Sequence, residues 1–243
     1  FPSFFLLYFK LDKEKEKYLK FISLSFFVGF LVSGWFYFYN FFKYGSFVAF
    51  NLEISKEVSF SRIIDLLSFK NAGEYLFSNP IRPYFNNQFF PTLYADTWGD
   101  YWGYFTFTSR FLDIGRNQME VGSYLGRVNF LSLFTTSILI YFYIKTVREN
   151  KNNRTVFVIN YSVIISFIGY FIFIVLYPAG NQGDTIKATY IIQAINLVVF
   201  LSAISIENIK NKKTYLSLTI FLLVIFIYNF DSYLSHFPRF YPN

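Results

Sequence analysis

An all-α fold, a polytopic bundle of transmembrane helices, is the class this sequence predicts, and three observations predict it. Apolar residues make up 54% of the chain and aromatics 25%, while only 15% are charged; a water-soluble domain of ordinary composition carries charge on about a quarter of its residues. The apolar residues, among them 36 Phe and 21 Tyr, gather in uncharged runs close to the roughly 20 residues a helix needs to cross the hydrocarbon core of a bilayer. The basic residues fall in short turns between those runs, the distribution that orients membrane proteins.

Taken in order, five runs predict about five full spans. They are Phe21–Tyr39, Val128–Ile144, Val156–Tyr177 (ending at Pro178), Ala188–Ile206 and the shorter Thr214–Phe230. In lipid every backbone N–H and C=O must be satisfied within its own segment, so these runs read as helices despite their many β-branched and aromatic residues. Phe1–Phe9 is apolar but too short to span, and its basic neighbours follow it, so it reads as the truncated end of a preceding membrane helix and not as a signal peptide. Lys10–Lys20 holds five lysines, Lys145–Arg154 four basic residues and Glu207–Lys213 three lysines, whereas Gly45–Glu120 holds six basic against eight acidic residues. The three basic turns are therefore expected in the cytoplasm. The chain is then one membrane domain, residues 1–243, with residues 45–123 forming a large extracytoplasmic loop.

That loop has its own pattern. Across Lys56–Lys70, Phe60, Ile63, Ile64 and Leu67 recur at helical spacing, with Lys56, Glu57, Arg62 and Asp65 largely on the other side. This predicts an amphipathic helix that either lies on the membrane surface or packs onto the rest of the loop. Asn79-Pro80 and Arg82-Pro83 break it, and a further helical stretch is expected from Thr108 into the second span.

Several function classes are excluded or disfavoured. The net charge of +7 is divided among turns instead of forming a stripe, which argues against nucleic-acid binding. With no cysteine and a single histidine, His236, a disulfide framework is impossible and a zinc site is disfavoured. No Gly-rich phosphate loop, nucleophile elbow or intramembrane string of carboxylates is present.

Two clusters could carry chemistry. In Tyr94–Phe105, Asp96 and Asp100 stand four apart, on one face if helical, beside Trp98, Tyr101 and Trp102. Carboxylates accept hydrogen bonds from sugar hydroxyls, aromatic faces stack on pyranose rings, and the carboxylates could hold a divalent cation through oxygen. The same residues equally suit a structural plug, its aromatics in the interfacial belt and its Asp residues capping turns at Gly99 and Gly103. In Gly180–Tyr190 a Gly-bearing turn leads into a span, with Lys187 expected in its first turn. A cation there opposes the helix dipole, a cost that an anionic lipid phosphate would offset; snorkelling to the headgroups is the other reading. Arg82, Arg110, Arg116 and Arg127 are further phosphate candidates by guanidinium geometry. Asn40 and Asn129 are expected at span ends, where an amide is cheap. Gln193 and Asn196, inside a span, are expected to face protein or a cavity.

Ser33–Gly45 (SGWFYFYNFFKYG), Leu93–Phe105 (LYADTWGDYWGYF), Tyr124–Asn129 (YLGRVN) and Asp184–Tyr190 (DTIKATY), in this order and membrane placement, resemble segments of bacterial and archaeal membrane glycosyltransferases of the GT-C fold, those related to protein O-mannosyltransferases. The resemblance implies transfer of a sugar from a polyprenyl-phosphate carrier to an acceptor on the outer side of the plasma membrane. It implies Asp96, Trp98, Asp100, Tyr101 and Arg82 as substrate-binding residues, and Lys187, Tyr190 and Arg127 as binding the donor phosphate. The catalytic carboxylate of such enzymes lies in an earlier outward loop, so the sequence here is expected to represent the C-terminal half and to be inactive alone. Readings of another class are a lipid or polysaccharide transporter subunit without catalysis, and a surface-glycan polymerase or ligase.

Overall fold

The computed structural model describes residues 7–9, 11, 14–47, 59–78, 88–99, 116–176, 186–230 and 232. All regular structure among them is helical. α1 is Lys15–Tyr44, α2 Phe60–Leu67, α3 Ala72–Ser78, α4 Phe89–Trp98, α5 Arg116–Glu149 and α6 Arg154–Leu176. A 3-10 turn, Ala188–Tyr190, precedes α7, Ile192–Glu207, and α8 is Lys212–Asn229. The chain is a multi-pass integral membrane protein: α1, the Ser123–Glu149 part of α5, α6 and α8 are each long and apolar enough to cross a bilayer. α7 is also apolar but has only 16 residues. Counted with the 3-10 turn before it, that segment rises roughly 30 Å, about the thickness of the hydrocarbon core.

Side-chain exposure agrees with lipid as the solvent. Ile164, Ile168 and Ile172 form an open stripe on α6, and Leu216, Ile220, Leu223 and Ile227 are open along α8; outward apolar surface on this scale is stable in hydrocarbon and costly in water. α1 is the extreme case, since only Gly34 and Asn40 are buried along its 30 residues.

The helix ends show what membrane placement overrides. α6 and α8 both begin with basic residues, Arg154 and Lys212-Lys213, against the dipole preference. Each start is secured instead by an asparagine. The Asn153 carboxamide oxygen accepts from the N–H groups of Thr155 and Val156 at 2.9 and 3.3 Å. That of Asn211 accepts from Lys213 and Thr214 at 2.9 and 3.2 Å.

α5 is the centre of the bundle, touched by α3, α4, α6, α7 and α8. Its seam with α7 is made of small and polar groups, as helix association in lipid favours. The Thr146 hydroxyl lies 2.6 Å from both the Leu201 carbonyl and the Ser205 hydroxyl. The Ser202 hydroxyl donates to the Leu139 carbonyl at 2.8 Å, and Ala194 is fully buried nearby. The Thr146–Ser205 bond places the α5–α6 and α7–α8 basic turns at one end of the bundle. α4 meets α5, the 3-10 turn and Ser232 at the other.

Expectations for the loop helix and for the amides of the spans are refined here. The loop helix is shorter than Lys56–Lys70: it ends at Leu67, and Asn71, with φ 59°, turns the chain into α3. Asn tolerates this left-handed conformation better than most residues. Asn40 and Asn129 stand at the ends of their uncharged runs as expected, but both are buried, with 6% and 0% exposure. Gln193 and Asn196 face outward, not inward, because the buried side of α7 is the Ala194–Leu201–Ser202–Ser205 stripe. The helical stretch expected from Thr108 is present from Arg116 onward, and its expected start lies outside the described residues.

Candidate functional site

α4 is the element around which the candidate residues gather. Pro91 sits in its first turn, where a missing N–H costs nothing. The Gln88 side-chain amide donates to the Lys70 carbonyl at 2.8 Å, tying the start of α4 to the α2–α3 turn. Phe89, 1% exposed, packs edge-on against Phe171 and at a tilt on Tyr170 of α6, with ring centroids 5.3 and 5.7 Å away. Leu93 joins the same core as Ile186, Ala188 and Ile191. The N-terminal half of α4 is thereby wedged between α6 and the 3-10 turn.

The other half is clamped by Asn129, which the sequence marked only as an amide at the end of a span. Its amide donates to the Leu76 carbonyl of α3 at 3.0 Å, and its own carbonyl accepts from the Tyr94 hydroxyl at 2.6 Å. Gly99 follows α4 directly, and a Cβ on it would lie 2.6 Å from Asn129 Oδ1, so any larger residue here would displace the Asn129 carboxamide. On the far side the Ser232 hydroxyl donates to the Trp98 carbonyl at 3.0 Å, and the Asn229 amide donates to Ser132 Oγ at 2.8 Å. Burial pushes the Tyr94 phenol well above its ordinary value near 10, so it stays a donor across the physiological range.

The structure separates some of the expected site residues. Asp96 is 2% exposed on the Phe89–Thr92 side of α4, whereas Trp98 lines a groove on the opposite side. Asp96 is thus not part of an exposed interfacial belt, and it does not share a face with Trp98. α4 stops at Trp98, so the four-residue spacing to Asp100 is not carried by one helix. Asp100, Tyr101, Arg82 and Arg110 lie outside the described residues.

The cationic candidates meet different elements. Arg127 is exposed and donates from Nε to the Tyr228 hydroxyl at 3.3 Å and from Nη1 to Ser123 Oγ at 3.0 Å, against α8. Lys187 is half-buried with an extended backbone, φ −136° and ψ 135°, five residues before α7 begins; it is not in the first turn of a membrane helix, and the dipole cost expected there does not arise. Its backbone is latched by Tyr170, whose hydroxyl accepts from the Lys187 N–H at 2.6 Å and donates to the Lys187 carbonyl at 3.0 Å. Lys187 Nζ lies 5.9 Å from the centroid of the Tyr190 ring, within cation–π range. Among the described residues, no group of three or more His, Cys, Asp or Glu is placed to hold a metal ion.

Beneath α4 runs an apolar groove of about 710 Å³, walled by α5, α6 and α7, within the volume range of ligand sites. Trp98 and Thr97 stand at its α4 end and Tyr143 and Ile144 at its far end. Leu133 to Ile144 of α5 covers roughly 16 Å of depth. The residues that wall it are ordinary span residues in the sequence, so no motif announces it. Comparison of the chain with protein-family models, with curated proteins and with solved structures finds no match to any of them.

Proposed function

We propose that the chain is part of a membrane glycosyltransferase of the plasma membrane, taking a sugar from a polyprenyl-phosphate-linked donor and passing it to an acceptor at the extracytoplasmic face. The observation that carries this reading is the groove under α4. Its walls are apolar along a path that lies within the membrane part of the bundle, which suits a long hydrocarbon chain and not a soluble substrate. Trp98 at its α4 end offers a stacking surface beside the point where such a chain would meet its headgroup. The extracytoplasmic assignment rests on the two basic turns sharing the other end of the bundle.

In this reading Lys187, with Tyr190 beside it, and Arg127 neutralise the phosphate that leaves with the carrier. Trp98 and, beyond the described residues, Asp100, Tyr101 and Arg82 shape the sugar side, while Asp96, buried on the other side of α4, does not reach it. The carboxylate that deprotonates the acceptor belongs to an earlier outward loop.

The test is a sugar-transfer assay on the full-length protein in proteoliposomes with a polyprenyl-phosphate sugar. Ile140→Trp, which fills the groove, is expected to raise the donor KM severalfold while the thermal midpoint holds. Lys187→Ala is expected to raise it as well, without changing the acceptor KM. Unaltered donor kinetics in a folded Ile140→Trp variant reject the groove as the carrier site.

A further inference from the structure

α2 is divided by its surroundings into three sides, and the division points to what covers it. At 100° per residue, Ile63 and Leu66 occupy one side, and they pack into the core that holds Phe89 and Leu93, with Leu66 only 4% exposed. Ser61 and Asp65 occupy a second side and are exposed polar residues. Between these lies a third side, Phe60, Ile64 and Leu67, at positions i, i+4 and i+7, all apolar and 76%, 54% and 45% exposed. A helix resting on protein in water needs two sides. Three are needed where protein, lipid and water meet along one line.

The open apolar side does not end with α2. It continues into Phe69, 63% exposed, whose ring stacks on that of Phe90, with centroids 5.9 Å apart and planes 7° from parallel. Both rings line the groove under α4, whose other walls are the membrane-crossing α5 and α6 and the apolar α7. The stripe is therefore continuous with surface that lies in hydrocarbon.

We propose that α2 rests in the headgroup–acyl boundary of the bilayer with Phe60, Ile64 and Leu67 immersed, and that the Phe69–Phe90 pair beside it is a lateral doorway through which hydrocarbon chains pass between that leaflet and the groove. The partner is the lipid surface itself. This rests on the groove accepting a hydrocarbon chain but not on any sugar chemistry.

The chain contains no cysteine, so single nitroxide labels can be placed in this chain, reconstituted in phosphatidylcholine nanodiscs, without removing thiols from it. Collision rates with oxygen, which partitions into lipid, and with a water-soluble nickel chelate then report the solvent at each site. Labels at Ile64→Cys and Leu67→Cys are expected to favour oxygen severalfold over labels at Ser61→Cys and Asp65→Cys, which favour nickel. A label at Thr97→Cys, on the groove wall behind the phenylalanine pair, is expected to favour oxygen as well. Nickel-favoured collisions at 64 and 67 overturn the immersion, and low rates with both reagents there mean a protein segment covers the stripe, which also overturns it. Nickel-favoured collisions at 97 overturn the doorway. The Ile140→Trp transfer assay fails or succeeds separately from all of these, so loss of the sugar-transfer reading and loss of this one are distinguishable.

Discussion

Replacing Gly99 with alanine tests whether Asn129 is the clamp that seats α4. Gly99 has ordinary right-handed backbone angles, φ −94° and ψ −31°, so alanine in open space there would stabilise the chain by about 0.4–1 kcal/mol through the unfolded state. The space is not open. The new methyl would stand 2.6 Å from Asn129 Oδ1 and 3.1 Å from both Asn129 Cγ and Nδ2, so the carboxamide must move. Moving it breaks the 3.0 Å bond to the Leu76 carbonyl in a fully buried place. An unsatisfied buried group costs about 1–3 kcal/mol and overpacking a similar amount, so the net expectation is a loss of about 2–4 kcal/mol. At roughly 2–4 °C per kcal/mol for a chain of this size, the thermal midpoint falls on the order of 10 °C. Thermal unfolding followed by circular dichroism in nanodiscs measures it. In an Asn129→Ala background the methyl meets no carboxamide, so the double-mutant cycle should show a coupling of at least about 1 kcal/mol. A Gly99→Ala midpoint at or above wild type, or additivity within about 0.5 kcal/mol, would refute the reasoning.

Two further predictions concern the remaining polar contacts. Thr146→Val keeps the shape but removes the hydroxyl between Leu201 and Ser205; a loss of about 1 kcal/mol is expected by detergent-denaturation titration, and Ser205→Ala should add little once the partner is gone. Tyr94, outside the membrane-spanning helices, is held protonated by burial while its unfolded form titrates near 10, so its contribution is whole below pH 10 and declines as pH climbs above that toward the raised folded value. Tyr94→Phe is expected to cost about 1 kcal/mol at neutral pH through the lost bond to the Asn129 carbonyl, and to flatten the fall in stability between pH 10 and 11 measured by the same unfolding assay.

The membrane architecture was legible because the bilayer imposes a one-dimensional rule: an uncharged run of sufficient length spans, whatever it packs against. Four of the five runs became helices long enough to span, extended by a few residues where polar ends such as Lys15–Lys20 and Lys145–Glu149 continue the backbone pattern beyond the hydrocarbon, while Ala188–Ile206 became a 3-10 turn followed by the 16-residue α7. What the rule does not reach is the side a residue faces. Gln193 and Asn196 were expected inward because amides avoid lipid, but the buried side of α7 is given to Ala194, in the core with Phe89 and Tyr170, and to Ser202 and Ser205, bonded to α5. The acidic-aromatic stretch was legible as a distinct outward element, while its division was not. The helix stops at Trp98, so it does not carry the spacing from Asp96 to Asp100, and within it Asp96 and Trp98, about 200° apart, lie on opposite sides. Asn129 could have been suspected from its position: an amide one residue into an uncharged run needs a partner, and the nearby unsatisfied carbonyls of a short helix such as α3 are where it finds one.

The bond from Ser232 to the Trp98 carbonyl joins residues 134 apart in the chain, and it sets an order of assembly. α4 is synthesised before α5, the 3-10 turn and the end of α8 that enclose it. At about 5–20 residues per second, the interval between α4 and Ser232 is on the order of ten seconds. During that time the Phe89–Thr92–Asp96 side waits without its native neighbours near a nascent membrane surface. Closure of the bundle over α4 is therefore a late step of assembly, one that follows synthesis of every span whose contacts hold that helix in place.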